Sequence, residues 1–145
     1  MEKQFEARRV INGTYGEIWI DGDNVAECTK LECKIAYDTQ DVNQCKQFFT
    51  GTKITGGKIS GTITVLKVTS ELAVKVSENA KKGTFPPSTI ISNLDDPDAY
   101  GAERVKLTGV TFTEATLADW AAKSTGEHSY PFTATGFDFL DKISA

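Results

Sequence analysis

The chain has 145 residues, of which 39% are hydrophobic and 25% are charged, and it carries a formal net charge of −4. This length suits one domain with a single core, and no apolar stretch is long enough to span a membrane. The acidic balance argues against a surface that grips nucleic acid through many Lys and Arg contacts. Residues 1–9 are charged and lack a following apolar run, so we expect no secretory signal peptide and synthesis in the cytosol.

The first predicted elements are strands. Residues 15–20 favour a strand that runs into a tight turn at Asp21-Gly22, and a second strand should start near Val25. From residue 31 to residue 37 the odd positions are apolar, whereas the even positions 32 and 34 are charged. This alternation predicts a half-buried strand with one solvated face.

Residues 38–58 break the alternation and form either a long protruding loop of about 38–58 or an extended hairpin. Phe48, Phe49 and Ile54 stand there among polar residues and glycines. A long segment of this kind is usually functional or ordered by a partner. The sequence leaves two interpretations of the aromatic pair: it contacts a partner, or it tucks under the loop and fills a small core of its own.

A helix follows the β-branched strand predicted at residues 59–68. Ser70 can cap its first turn, Gly83 can take the left-handed closing conformation, and Pro86-Pro87 forbids continuation. One apolar stripe recurs at helical spacing, formed by Leu72, Ala73, Val76 and Ala80. The sequence therefore predicts one amphipathic helix between Ser70 and Gly83.

The remaining elements are again strands and turns. Residues 89–94 predict a short strand and residues 95–101 a turn in which Asp side chains bond their own backbone. In residues 103–113 the apolar parity changes across Gly109, which predicts a β-bulge. Residues 115–127 fit a helix as well as an irregular strand. Residues 130–140 predict a final strand, with Pro131 at a sheet edge or at the strand's beginning.

No catalytic constellation accompanies these elements. His128 is the only histidine and has no nucleophile motif around it, and the glycines near residue 56 lack the strand-to-helix junction of a phosphate-binding loop. Cys28, Cys33 and Cys45 match neither a zinc nor a redox spacing. We therefore expect free thiols, no cofactor, no metal and no enzymatic activity.

Several segments, taken in order and spacing, resemble a known family. They are residues 11–22, the helix opening at 67–70, its end at 81–83, Asp95-Asp96, Gly101 with 103–107, and Pro131-Phe132-Thr133 leading to 136–138. In these segments the chain resembles the tail-tube proteins of contractile phage tails and phage-tail-like bacteriocins of the PBSX prophage type. The resemblance implies a mainly β fold, a β-sandwich or partial barrel with one flanking α-helix, as one domain over residues 1–145.

The same resemblance implies an assembly. Hexameric rings of the protein would stack into a hollow tube inside a sheath protein, with tape-measure and baseplate proteins as further partners. In a phage, DNA would pass through the lumen of the tube without specific binding. In a bacteriocin, ions would pass through it instead. The particle would assemble in the bacterial cytoplasm and then form part of a virion tail or a released tail-like particle, without stable membrane insertion of the monomer.

An N-terminal arm of about residues 1–14 and the segment 38–58 would lie at contacts between subunits or rings. The assembly residues expected there are Phe48, Phe49, Ile54, Gly56 and Gly57.

A rival hypothesis is a monomeric β-sandwich that binds a carbohydrate or a protein ligand. Trp19, Tyr100 and Trp120 would then offer aromatic faces for stacking. The two hypotheses differ in whether the protein polymerises.

Overall fold

The computed structural model describes residues 4–144 and is mainly β, with one α-helix, as the sequence predicts. Two short 3-10 turns at Ala7–Arg9 and Gly13–Tyr15 precede the first strand. The strands are β1 (Gly16–Ile20), β2 (Asp23–Asn24), β3 (Cys28–Val42), β4 (Gly51–Leu66), β5 (Ser88–Leu94), β6 (Glu103–Phe112), β7 (Glu127–Ala134) and β8 (Gly136–Asp141). The helix, α1, spans Glu71–Lys82.

All strands pair antiparallel in the order β2-β1-β5-β6-β7-β4-β3, and β8 pairs with β6 outside this path. Strand β6 joins two halves of the sheet, because residues 103–110 pair with β5 and residues 111–112 pair with β7. The sheet folds over itself without closing into a barrel, and no strand of the described residues lies beyond β3 at its end. The mainly β fold with one helix agrees with the β-sandwich or partial barrel that the resemblance implies.

The core lies between the two halves of the sheet. Alternate residues of β1, of β7 and of residues 59–65 of β4 point inward, as a half-buried strand requires. The buried apolar side chains are Ile18, Ile20, Ile59, Ile63, Val65, Leu72, Ile90, Leu107, Val110, Tyr130, Phe132 and Ala134. Both halves of the sheet and the helix contribute to this one cluster of buried residues.

Helix α1 lies against the β1–β2 turn through an ion pair. Lys75 Nζ lies 3.1 Å from Asp21 Oδ2, and Asp21 Oδ1 accepts a hydrogen bond from Thr89 N at 2.9 Å. Burial by itself would raise the pKa of Asp21, but the bonds from Thr89 and Lys75 outweigh it and hold that pKa below its usual value. The helix ends as predicted, because Gly83 has φ of +70° and donates its N–H to Asn79 O. Ser70, by contrast, makes no side-chain capping bond, so that part of the prediction was wrong.

The predicted β-bulge at Gly109 is confirmed. Ser88 pairs with Val110 and Ile90 with Leu107, so two steps along β5 match three along β6. Gly109 itself has φ of +63°, a conformation that suits glycine. The extra residue changes which parity faces the core, so that Leu107 and Val110 are both buried.

Two predictions near the C-terminus were wrong. The expected single strand over 130–140 is two strands, because the chain turns at Thr135, whose N–H donates to Thr108 O, and β8 then pairs with β6. Pro131 lies inside β7, opposite Thr62. It is tolerated there because β6 ends at Phe112, and Thr113 N just beyond donates to Pro131 O.

The segment 113–126, whose form the sequence left open, is neither helix nor strand. Its two large apolar side chains, Leu117 and Trp120, are 80% and 86% exposed. They therefore have little apolar surface to pack against within the described chain, and the helical spacing that they show has no buried face to stabilise it.

Gly109 allows a test of the bulge. A Cβ there would clash with the Thr135 side chain and would also occupy the left-handed region, so Gly109→Ala should lower the free energy of unfolding by about 2 kcal/mol or more. Gly22 is the matched control, because its φ is +87° but nothing lies within 4 Å of its Cβ position. Gly22→Ala should cost only about 1 kcal/mol. Equal losses in urea unfolding would contradict this account of the bulge.

Candidate assembly surfaces

The longest feature of the molecule is the β3–β4 hairpin. The two strands pair from Cys28 opposite Val65 to Val42 opposite Gly51. Of the two forms that the sequence left open for residues 38–58, the structure contains the extended hairpin, and only residues 43–50 lie outside its strands. Every residue from 36 to 58 is exposed, so the distal half of the hairpin projects from the body and is held by its own ladder of backbone hydrogen bonds.

The hairpin tip, residues 43–50, presents an aromatic pair to solvent. Phe48 is 94% exposed and Phe49 is 83% exposed, and their rings meet edge to face with centroids 5.1 Å apart. Thr50 Oγ1 lies 2.9 Å from Asn43 Oδ1, to which it donates, so the tip is tied to itself. The interpretation in which the pair fills a small core is therefore wrong, and the two rings remain available to a partner.

The other three predicted assembly residues lie on β4 below the tip. Ile54 pairs with Thr39 and is exposed, whereas Gly56 and Gly57 pair with Asp38 and Tyr37. A register shift at this point leaves Thr55 unpaired. The structure thus brings Phe48 and Phe49 together at the tip and places Ile54, Gly56 and Gly57 on the projecting strand.

A second exposed surface lies where the sandwich is open. Among residues 4–144, β3 pairs only with β4, and β8 pairs only with β6, so each has an edge without a partner. A cleft of about 350 Å³ separates them. Its apolar lining comes from Leu31, Ile35, Ile59, Val105, Leu107, Phe137 and Phe139. We call this cleft, with its two flanking strand edges, the open seam.

Sequence reasoning missed the open seam. Phe137 and Phe139 have the same parity on β8, are each about half exposed, and pack edge to face at 6.2 Å. Their alternation was visible in the sequence and predicts one apolar face of a strand. What it does not indicate is that the facing strand, β3, stands too far away to cover that face.

The N-terminal arm lies on its own chain. Asn12 N donates to Oδ2 of the buried Asp96 at 2.9 Å, and the Arg9 guanidinium lies over the Tyr100 ring at 4.9 Å. Asp96 Oδ1 also accepts from Asp98 N, which is the predicted bond between an Asp side chain and its own turn. Residues 4–14 of the predicted arm are thus placed, and residues 1–3 lie outside the described part.

The aromatic residues of the rival hypothesis do not form one platform. Trp19 is half-buried in β1, Tyr100 lies under Arg9, and Trp120 stands in the irregular segment 113–126. These positions belong to three separate elements, and one of the three rings already has a charged group on its face. The structure offers little support for a stacked carbohydrate.

The cysteines and acidic residues show no constellation of their own. Within residues 4–144, no group of three or more His, Cys, Asp or Glu side chains is placed to hold a metal ion. Burial raises the pKa of the Cys28 and Cys33 thiols. No helix in this part of the chain has the length and apolarity that a membrane span needs.

A family model described as phage tail tube protein matches residues 3–141. The chain therefore belongs to the phage tail tube protein family, which is a structural family and not a family of enzymes.

Individual relatives agree with this membership. The chain is 34% identical over 141 residues to the phage-like element PBSX protein XkdM of Bacillus subtilis (strain 168), covering 96% of each chain. Its fold is similar to a chain of the extracellular contractile injection system PVC sheath–tube complex in the extended state. That match has a TM-score of 0.73 and 11% identity, over 92% of this chain and 93% of the other. A chain of the anti-feeding prophage cap also has a TM-score of 0.73, with 9% identity over 99% and 95% of the two chains. The predicted resemblance to tail tubes of the PBSX type is confirmed.

The tip residues should matter little for folding. Replacing both Phe48 and Phe49 with Ser should change the free energy of unfolding by no more than about 0.5 kcal/mol, because both rings are already in water. Phe132, which is 1% exposed, is the buried counterpart, and Phe132→Ala should cost about 3 to 5 kcal/mol. Urea unfolding measures both. A large loss in the tip variant would show that the aromatic pair packs within its own chain.

Proposed function

We propose that this protein is the structural subunit of the inner tube of a contractile phage tail or a related tail-like particle. Hexameric rings of the protein stack into a hollow tube that conducts DNA, in a phage, or ions, in a bacteriocin, through the target envelope. The open seam is the observation that supports this function best. It leaves backbone donors and acceptors and an apolar cleft exposed on one subunit, and a neighbouring copy of the chain would cover them.

Ring closure and stacking use different surfaces in this proposal. Lateral neighbours cover the edges of β3 and β8 at the open seam, so the contact is head-to-tail and closes when the rotation between copies permits. The projecting hairpin and its tip reach along the tube axis, because they extend beyond the core of their own subunit. The five residues Phe48, Phe49, Ile54, Gly56 and Gly57 belong to this axial contact.

The partners of the tube follow from the same architecture. We assign a sheath protein around the tube, baseplate proteins at one end and a tape-measure protein in the lumen during assembly in the bacterial cytoplasm. The similarity of the fold to a chain of a sheath–tube complex supports the first of these. The net charge of −4 suits a conduit through which a polyanion slides without binding.

Electron microscopy of the purified protein over a concentration series tests this function. We expect rings with a central pore at low concentration and hollow tubes at high concentration. Small featureless particles at every concentration, also after addition of tail initiator proteins, would contradict the proposal.

Two variants separate the proposed surfaces in the same experiment. The double variant Phe137→Ser and Phe139→Ser removes the apolar face of β8. It should prevent ring formation, because a neighbouring copy that covers the open seam then removes little apolar surface from water. Replacing residues 43–50 with Asn-Gly closes the hairpin directly between Val42 and Gly51, and should leave rings that do not stack.

The control variant is Val68→Ser, which removes an exposed apolar side chain outside both surfaces and should assemble normally. Circular dichroism checks that all three remain folded, and tubes of normal length from the tip replacement would contradict the axial role of the hairpin.

A further inference from the structure

A second apolar groove lies beside helix α1 and shares no lining residue with the open seam. It runs between the outer flank of the helix and the irregular segment that follows β6, and has a volume of about 540 Å³. Its apolar lining consists of Val76, Ala80, Phe85, Phe112, Ala115 and Leu117, and Glu78, Lys81 and Glu114 also line it. We call it the helix groove. Phe85 and Leu117 are both largely exposed, so nothing in the described chain fills it.

The hairpin tip of the same chain cannot reach this groove. Phe112, on the groove wall, pairs with Phe132, which in turn pairs with Gly61 of β4. Gly61 lies ten residues along β4 from Gly51, where the tip begins. At a rise of about 3.3 Å per residue, the tip therefore stands about 33 Å away along the strand. Any contact between tip and groove needs two copies of the chain.

The two surfaces complement each other in polarity and charge. The tip offers two unpacked aromatic rings, and its residues 43–50 contain Lys46 but no acidic residue. The groove offers an apolar floor with two carboxylates and one amine around it. Lys81 Nζ lies 3.5 Å from Glu78 Oε1, whereas Glu114 makes no ion pair within residues 4–144. A basic, aromatic tip thus matches an apolar groove that carries a free carboxylate.

We infer that the helix groove of one copy receives the Phe48–Phe49 tip of another copy. The contact joins two different surfaces of the same chain, so it is heterologous, and it repeats along an axis when the rotation between copies does not close a ring. This is the property that stacking of rings requires. The inference rests on the proposed tube function and names the surface that the axial hairpin meets.

Cysteine cross-linking tests the contact, because the tip already contains the exposed Cys45. In a background with Cys28→Ala and Cys33→Ser, Lys81→Cys places a thiol at the helix groove. Glu71→Cys is the matched control on the same helix, because Glu71 lies at the other end of α1, beside Asp23 and Asn24 and outside the helix groove. A short bismaleimide tolerates imperfect geometry better than a direct disulfide, which needs Cα atoms within about 7 Å. Assembled tubes are treated with it and separated on denaturing gels.

We expect the Lys81→Cys protein to give a ladder of cross-linked dimers and higher species, at least tenfold stronger than that of Glu71→Cys. The ladder should vanish when Cys45 is also replaced with Ser. If tubes form but neither variant cross-links, or both do so equally, the tip docks elsewhere and the inference is wrong while the tube function stands. If neither protein nor its parent forms rings or tubes, the proposed function fails and this inference fails with it.

Discussion

The edges of β3 and β8, which have no strand partner within residues 4–144, are the constraint on which the rest of this structure depends. A strand edge exposes a row of backbone donors and acceptors, and here two such edges flank an apolar cleft lined by Leu31, Ile35, Phe137 and Phe139. A monomeric protein would cover such edges or protect them against pairing with another strand. Among the outward positions of β3, Lys30, Glu32 and Lys34 are charged and discourage indiscriminate pairing, but the cleft behind them stays open. A fold of this kind gains stability when a specific neighbour completes it.

The projecting hairpin lies outside the core and is stabilised mainly by its own backbone hydrogen bonds. A segment that leaves the core gains little from burial, and β3 and β4 compensate with a ladder that continues to Val42 and Gly51. The register shift near Thr55 and the two glycines beside it alter the twist of the ladder in this distal part. The aromatic pair is thereby held far from its own body, where only another molecule can bury it. In the proposed tube, separate surfaces for lateral and axial contacts would allow rings to close before they stack.

Local signals in the sequence were sufficient for the helix end and the bulge. Gly83 and Gly109 each occupy a left-handed conformation that a local pattern indicates, one through Pro86-Pro87 nearby and the other through a parity change. The break between β7 and β8 was missed, because it depends on a tertiary choice: residues after Thr135 pair with β6 instead of continuing along β4. The exposure of Phe48 and Phe49 was undecided for the same reason, since the sequence does not state how far the hairpin extends. The open seam and the helix groove are properties of distances between strands and helix, and no local pattern encodes them.

Hydrogen exchange tests the central claim most directly, because it reports on the backbone amides of the two open edges. In dilute monomer, the outward-facing amides of residues 28–42 and 136–141 should exchange much faster than those of the central strand β6. In assembled tubes the same edge amides should become protected by at least about tenfold, since each gains a hydrogen-bond partner or loses contact with water. Edge amides that exchange equally fast in monomer and tube would contradict the account, because the seam would then remain open in the assembly.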